Sequence, residues 1–174
     1  MEKSSCPFEP LLIGRYQIFA GLSETEIAEF CRVMMLIDFE QDQVIIQEGD
    51  VGNSILLLIE GQVEIVQALT LKTSITQLDT REKSLIKLSS DNFPFFGEMS
   101  LFSEDDRRTA TVKASTVCKV GRIEKRDFFT ICNQHPEIGN RVMQNIARVM
   151  SQRLRQANQN ILKLTTAFSL IIES

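Results

Sequence analysis

The chain has 174 residues, of which 43% are hydrophobic and 24% are charged. This length suits one domain with a continuous core, and the formal net charge of −4 excludes the overall positive field that general nucleic-acid binding requires. The apolar run at residues 55–59 is far too short to cross a bilayer, and residues 1–7 hold no apolar stretch of signal-peptide length, so we predict a cytoplasmic protein.

The cysteine and histidine content predicts a protein without a metal. The four cysteines, which show neither CxxC nor metal-ligand spacing, are Cys6, Cys31, Cys118 and Cys132. The last three sit among apolar residues, where we expect reduced thiols in the core. Because the chain has one histidine, His135 at a helix start, a histidine metal centre is not expected.

Residues 1–34 are predicted to form an N-terminal helical segment, because apolar residues recur at helical spacing over 7–34. Ser23 and Glu26 have the spacing of a capping box, which should start a helix at about Glu24.

Residues 35–124 are predicted to form a β-barrel core. Short runs rich in Ile, Leu and Val alternate with turn residues, and these runs lie at 44–46, 54–59, 63–66 and 85–88. Glycines at 49, 52 and 61 suit the tight turns, and the polar residues 79–82 are interpreted as the tip of a hairpin. Strands at this spacing indicate a sandwich or a jelly-roll barrel, so the predicted fold class is mainly β with flanking helices.

The segment 96–112 carries the chemistry. A glycine and an acid, Gly97 and Glu98, open a short turn, and two arginines, Arg107 and Arg108, close it just before the next strand. Backbone N–H groups at such a turn favour an anion, and an arginine fork matches phosphate oxygens. An ionised Glu98 can only accept hydrogen bonds, which suits a sugar hydroxyl. The pattern therefore predicts a ligand with both a phosphate and a sugar.

Residues 125–174 are predicted to form two C-terminal helices. The first runs through Cys132, and the second begins after His135-Pro136 and extends to about Phe168, since it has no glycine beyond Gly139 to break it. An a/d seam on this long helix consists of Met143, Ala147, Met150, Leu154, Ala157, Ile161, Leu164 and Phe168. A second stripe, which can pack on the barrel, consists of Ile138, Val142, Ile146 and Val149.

Two interpretations of the seam follow. Because one barrel could not cover the distal half of the helix, we predict a parallel homodimer through the seam; the alternative buries both stripes within one subunit. The basic residues between 139 and 163 are interpreted as a solvated face, and they are Arg141, Arg148, Arg153, Arg155 and Lys163.

The stretch Phe96-Gly97-Glu98-Met99-Ser100-Leu101, followed by Arg108-Thr109-Ala110, resembles the phosphate-binding cassette of the cyclic-nucleotide-binding domain family. Catabolite activator proteins, protein kinase A regulatory subunits and cyclic-nucleotide-gated channels share that domain. The likeness covers roughly residues 19–160. It implies that Glu98 binds the ribose 2′-hydroxyl and Arg108 an equatorial phosphate oxygen, while backbone N–H groups at 97–100 and Thr109 complete the cradle and Arg107 points to solvent.

The chain departs from the family pattern at three places. The variable loop carries three acids, 104–106, which we expect to face water. Residues 92–94 lack the glycine that usually precedes the cassette, so the loop there is expected to differ. Where catabolite activators place a Thr-Ser pair against adenine, this chain has Arg153 and Leu154, which we assign to the binding site.

The function predicted from the sequence is a regulatory sensor that binds cAMP in preference to cGMP and signals by movement of the long helix. The alternative is a dimeric interaction protein with a vestigial pocket, in which Glu98 and Arg108 form a structural ion pair. Catalysis has no candidate, since no nucleophile lies beside a base and no Gly-x-Ser-x-Gly occurs. A transcription factor would need a helix-turn-helix after the long helix, and none is recognised, so no DNA partner is predicted.

Overall fold

A computed structural model describes residues 10–71, 79–103 and 105–172. Its helices are α1 (Pro10–Ile13), α2 (Glu24–Val33), α3 (Met99–Phe102), α4 (Lys125–Gln134) and α5 (Pro136–Ile172), with 3₁₀ turns at Gln17–Phe19 and Ser90–Asn92. Its strands are β1 (Met35–Phe39), β2 (Val44–Ile46), β3 (Ser54–Glu60), β4 (Gln62–Leu71), β5 (Asp79–Ser89), β6 (Phe95–Phe96), β7 (Thr111–Ala114) and β8 (Cys118–Glu124).

The strands form two antiparallel four-stranded sheets, in the orders β1-β8-β3-β6 and β2-β7-β4-β5. Side chains from both sheets, among them Leu58, Val63 and Val120, meet in one buried cluster between them. The opposite face of β3 and β8 packs against the helices through a second cluster that includes Leu57 and Ile123. Strand β3 therefore reads as an unbroken apolar run because it is buried on both faces. The predicted mainly β fold with flanking helices is confirmed.

Helix α2 begins at Glu24, where the sequence predicts. Ser23 caps α2, since its Oγ accepts the Glu26 amide at 3.4 Å while Glu26 Oε2 accepts the Ser23 amide at 2.6 Å. Tyr16 ties this region to the barrel by donating its hydroxyl to the carbonyl of Leu58 at 2.6 Å. Burial raises the pKa of that hydroxyl, so it stays a donor at neutral pH.

The hairpin prediction for residues 79–82 is wrong. These residues lie inside β5, where they pair with residues 68–71 of β4, so the two-stranded ribbon extends further than the sequence indicated. The physical reason is that a β ladder is held by backbone N–H and C=O groups, which polar residues carry as readily as apolar ones.

The turn before the cassette has a phenylalanine, yet its backbone takes a conformation typical of glycine. Phe93 adopts the left-handed conformation (φ 49°, ψ 51°) that glycine takes most easily. Its ring is fixed by an edge-to-face contact with Tyr16, with ring centroids 5.5 Å apart, and by the Arg15 guanidinium 3.9 Å from the ring centroid. These two contacts help to offset the cost of the unusual φ angle.

Cys31, Cys118 and Cys132 are buried in the core, as predicted, whereas Cys6 lies outside the described residues. Burial raises the pKa of the Cys132 thiol to about 11, which keeps it protonated and unreactive near neutral pH. No helix in the described ranges is long and apolar enough to span a membrane.

The long helix α5 divides into a buried half and an exposed half. Its second stripe, Ile138, Val142, Ile146 and Val149, is buried against the helical cluster, as predicted. Asn145 on the same side is 3% exposed, and its Nδ2 donates to the carbonyls of Ile18 at 3.1 Å and Ala20 at 2.9 Å. The amide thereby clamps the first half of α5 to the N-terminal segment.

We predict that Asn145→Ala lowers the free energy of unfolding by about 1–3 kcal/mol, because the buried carbonyl of Ile18 and the partly buried carbonyl of Ala20 lose their donor. The matched control is Gln144→Ala, since Gln144 is exposed on the same helix and should change stability by less than about 0.5 kcal/mol. Urea titrations monitored by circular dichroism measure both values. Equal losses in the two variants would contradict the clamp.

Candidate functional site

A cavity of about 310 Å³ opens at the end of the barrel beside the cassette. Most of its lining is apolar, and its charged residues are two arginines and one carboxylate. The lining residues are Ile46, Ile65, Phe96, Gly97, Glu98, Met99, Ser100, Arg108, Thr109, Ala110, Val112 and Arg153. An apolar pocket with a few convergent polar groups is typical of a small-molecule site.

Two glycines beside the cavity, Gly97 and Gly52, leave room for the side chain of Arg108. Gly97 has φ +79°, and a Cβ built there would lie 2.6 Å from Arg108 Nη1. At Gly52 a Cβ would lie 2.3 Å from Arg108 Nε. Both positions therefore need glycine so that the Arg108 side chain can pass between the turns. At Gly52, whose φ is not positive, this close approach is the reason for glycine.

Arg108 is 9% exposed, and the surrounding turns supply its partners. Nη1 donates towards the carbonyls of Gly97 at 2.8 Å and Ser54 at 3.0 Å and towards Ser100 Oγ at 2.9 Å, while Nη2 donates to Ser54 Oγ at 3.0 Å. Burial, and then the charge of Arg122, lowers the pKa of this guanidinium, yet an arginine stays protonated in a protein. The site thus holds a fixed, buried positive charge.

Arg107 has the opposite environment. Its side chain is exposed, and its Nη1 donates to the carbonyl of Gly49 at 2.6 Å. Of the two adjacent arginines, only Arg108 lines the cavity.

Glu98 is 3% exposed, and among the described residues its ion-pair partner is Arg153 of α5. Arg153 Nη1 lies 2.7 Å from Glu98 Oε1, and its Nη2 donates to the carbonyl of Phe95 at 2.7 Å. The guanidinium also lies 5.2 Å from the centroid of the Phe95 ring. The alternative interpretation, an ion pair between Glu98 and Arg108, is therefore wrong, because Glu98 pairs with Arg153 instead.

The interpretation of Arg153 as part of a solvated face is also wrong. The residue follows Val142, Ile146 and Val149 at alternating steps of four and three, so it continues the stripe that packs inward. That spacing was the available signal, and the charge of the side chain obscured it. The acidic partner lies 55 residues earlier in the chain and could not be found from local sequence.

The structure brings most of the sequence-predicted residues together but leaves one out. Gly97, Met99, Ser100, Thr109 and Ala110 line the cavity with Glu98, Arg108 and Arg153. Leu154 does not line it, because the next position on the helix turns its side chain away, and it is 63% exposed.

The acidic loop before Arg107 is held away from the cavity where the structure describes it. Asp105 is exposed, and Asp106 forms an ion pair with Lys125 at the start of α4. Glu104 lies outside the described residues, so the expectation for its orientation stays a prediction.

The chain matches one family model and is similar to several curated proteins. The family model described as "Cyclic nucleotide-binding domain" matches residues 36–135. A curated relative from Mycobacterium tuberculosis, a CRP-like cAMP-activated global transcriptional regulator, is 25% identical over 153 residues, which cover 88% of this chain and 62% of the relative. Human cGMP-dependent protein kinase 2 is 26% identical over 139 residues, covering 80% of this chain and 16% of the kinase.

Two solved structures share the fold. A cyclic nucleotide-binding domain from Methylobacillus flagellatus superposes with a TM-score of 0.73 at 21% identity, covering 88% of this chain and 80% of that one. The catabolite activator protein of Thermus thermophilus superposes with a TM-score of 0.69 at 23% identity, covering 86% and 63%. The chain thus spans less than two thirds of the mycobacterial regulator and of the Thermus protein.

Proposed function

Because the chain belongs to the cyclic nucleotide-binding domain family, we propose that it is a sensor that binds cAMP in the cassette cavity and signals through α5. The observation that carries the proposal is the pair of opposed charged groups on the cavity wall. Arg108 presents donors and Glu98 presents acceptors to one cavity whose lining is mostly apolar. A cyclic nucleotide combines a phosphate, a hydroxyl and a flat base with apolar faces, which match these three features.

The donor count of Arg108 leaves room for a phosphate. A guanidinium has five N–H groups. Nη1 can use at most two on its three acceptors, and Nη2 uses one on Ser54 Oγ, so two N–H groups remain for ligand oxygens. The contacts that hold the arginine therefore orient it without exhausting it.

The size of the cavity supports a ligand as small as a mononucleotide. Its volume of about 310 Å³ lies at the lower end of the usual range for ligand pockets, about 300–1,000 Å³. The preference for cAMP follows the sequence prediction and is supported by the relatives described as cAMP-activated regulators. The kinase relative described as cGMP-dependent supports cGMP as the competitor to test.

We predict that calorimetric titration of the purified chain shows binding of both nucleotides, with the lower dissociation constant for cAMP. A ligand with a dissociation constant of about 1 mM contributes only about −4 kcal/mol, so the titration should extend to that concentration. Binding of neither nucleotide would defeat the sensor proposal. Tighter binding of cGMP would reverse the preference but keep the sensor.

A second candidate function is a dimeric interaction protein with a vestigial pocket. The observation in its favour is that Glu98 and Arg108 both have partners within the chain, so neither requires a ligand for its burial. The same titration separates the two candidates, because a vestigial pocket binds neither nucleotide.

We predict that Arg108→Ala weakens nucleotide binding by about 30-fold or more, since a charge-assisted contact to a buried phosphate is worth about 2 kcal/mol at least. Arg107→Ala is the matched control, and its exposed side chain should contribute little. Calorimetry with cAMP measures both. A larger loss in Arg107→Ala would show that the assignment is displaced by one residue.

The proposed signal is a shift of α5 against the barrel. The ligand can shift the helix between two positions only by as much free energy as its binding to those two positions differs. The proposed output surface is the distal part of the seam, where Leu154, Ile161, Leu164 and Phe168 are 63%, 61%, 55% and 64% exposed. We propose that a second copy of the chain covers them in a parallel homodimer, because a/d residues at this spacing pair along two helices.

We predict that the double substitution Leu154→Lys and Ile161→Lys converts the dimer to a folded monomer, because neither residue belongs to the buried clusters. Burial of each such side chain contributes roughly 1.5–3 kcal/mol to association. Gln152→Lys with Gln159→Lys is the control, with the same charge on exposed positions off the seam. Sedimentation at micromolar concentration measures the mass, and a monomeric unmodified chain would defeat the dimer proposal.

A further inference from the structure

Arg122 is a charged residue on the inner face of the barrel. Successive residues of a strand point to opposite faces, and Cys118 and Val120 of β8 belong to the cluster between the two sheets. Arg122 continues that face, and its partner on β3 is Leu56, which belongs to the same cluster. Charged residues are rare on a buried face unless a contact compensates them. The arginine at this position therefore indicates a specific role.

The contacts within the chain satisfy the Arg122 guanidinium only in part. Its Nη2 lies 2.6 Å from Glu124 Oε1 and donates to Asn53 Oδ1 at 3.3 Å. Its Nε is buried and has no hydrogen-bond partner among the residues that the structure describes. A buried donor without an acceptor is costly, and such groups are rare in folded proteins. The Nε–H group is therefore a candidate donor to a bound ligand.

A second cavity, of about 180 Å³, lies against Arg122. It is distinct from the cassette cavity, but Ile46 and Arg108 line both of them. Its other walls come from β1, β2, β3 and the turn before β3, where Asn53 supplies an amide. Arg108 therefore borders two cavities, and a ligand in either one lies next to its side chain.

The chemistry of the second cavity fits a small oxyanion. Two guanidiniums line it, whereas the carboxylate in its lining, Asp50, is exposed to water that screens its charge. The fork of an arginine matches the oxygens of a phosphate or a carboxylate, and the ion pair with Glu124 leaves Nε of Arg122 unused. The cavity is smaller than the usual ligand pocket of about 300–1,000 Å³, which favours a small ion over a nucleotide.

The two arginines of this cavity act on each other through their charges. After burial, the charge of Arg122 is the next cause that lowers the pKa of the Arg108 guanidinium. An anion held at Arg122 therefore lies within electrostatic reach of the group that is to bind the nucleotide phosphate.

We infer that the second cavity is a regulatory site for a small oxyanion, inorganic phosphate or a carboxylate, which binds Arg122 and weakens nucleotide binding at the cassette. The Nε–H group of Arg122 and the amide of Asn53 donate to the anion. The negative charge of the anion then offsets part of the charge of Arg108, so the nucleotide phosphate is attracted less strongly. The effect on nucleotide affinity rests on the proposed function, whereas the anion site does not.

The first experiment measures the anion site by calorimetric titration of inorganic phosphate at constant ionic strength. Phosphate is titrated into the chain alone and into the chain saturated with cAMP, where the nucleotide occupies the cassette. We expect binding in both states, weaker with cAMP because the coupling is reciprocal, and we expect Arg122→Gln to abolish it in the saturated chain. Arg126→Gln is the matched control, because it removes the same charge from a side chain that is 87% exposed, and should keep phosphate binding.

A second variant changes the site in the opposite direction. Glu124→Gln removes the carboxylate that pairs with Arg122, which frees Nη2 for the anion, so we expect tighter phosphate binding. A purely structural ion pair would give no such gain. Acetate, titrated in the same way, compares a carboxylate with phosphate, and binding of either anion that depends on Arg122 supports the site.

The second experiment measures the dissociation constant of cAMP as phosphate replaces chloride. We expect it to rise about fivefold and then to level off, because the anion occupies a separate site that saturates. Arg122→Gln should still bind cAMP but should show no such rise, while Arg126→Gln should behave as the unmodified chain. Competition inside the cassette would instead raise the dissociation constant without limit and would persist in Arg122→Gln.

Four outcomes decide the inference. Phosphate binding and a saturable effect on cAMP, both lost in Arg122→Gln, support it. Absence of phosphate and acetate binding at millimolar concentrations overturns it, and so does phosphate binding that survives in Arg122→Gln. Binding of phosphate that depends on Arg122, in a chain that binds no cyclic nucleotide, supports the anion site and defeats the proposed function.

Discussion

The burial of Arg108 is the constraint on which this end of the barrel depends. A guanidinium at 9% exposure needs acceptors nearby, and Gly97, just after β6, and Ser54, at the start of β3, provide them from adjacent ends of two paired strands. The side chain fits only because Gly52 and Gly97 have no Cβ in its path. Glycine in these turns, small hydroxyls at 54 and 100 and a charge at 108 are therefore one connected requirement.

Helix α5 connects that site to the rest of the molecule because its two halves have different partners. Asn145 anchors the first half to the N-terminal segment. Further along the helix, Arg153 forms an ion pair with Glu98 of the cassette. Beyond Arg153 the helix has exposed side chains all round, which no element of the described chain covers. A conformational change at the cassette can therefore reach the distal half of α5 through the contacts of Arg153 with Glu98 and with the carbonyl of Phe95.

The two charged groups of the cassette, Glu98 and Arg108, are held by contacts within the chain. Glu98 is paired with Arg153, while Arg108 donates to neutral carbonyl and hydroxyl groups, so the two residues have separate partners. A ligand that bridges them would add contacts to groups that are already oriented, and such preorganisation lowers the cost of binding. Apolar residues of the same cavity, among them Ile65 and Val112, also pack in or against the barrel core, so the site shares side chains with the packed interior.

The helix–barrel–helix order, the capping box at Ser23 and the cassette from Phe96 to Ala110 could be predicted from the sequence, because these features depend on local spacing. Local spacing also identified the buried stripe of α5, but not that two residues of the predicted seam, Met143 and Met150, pack partly against the same cluster. Only the tertiary structure decided that Arg153 pairs with Glu98, that Leu154 turns away from the cavity and that residues 79–82 lie within a strand. The physical reason is that an ion pair between residues 55 apart, the rotation of a helix over a barrel and the length of a backbone ladder are set by packing between distant segments, which leaves no local pattern.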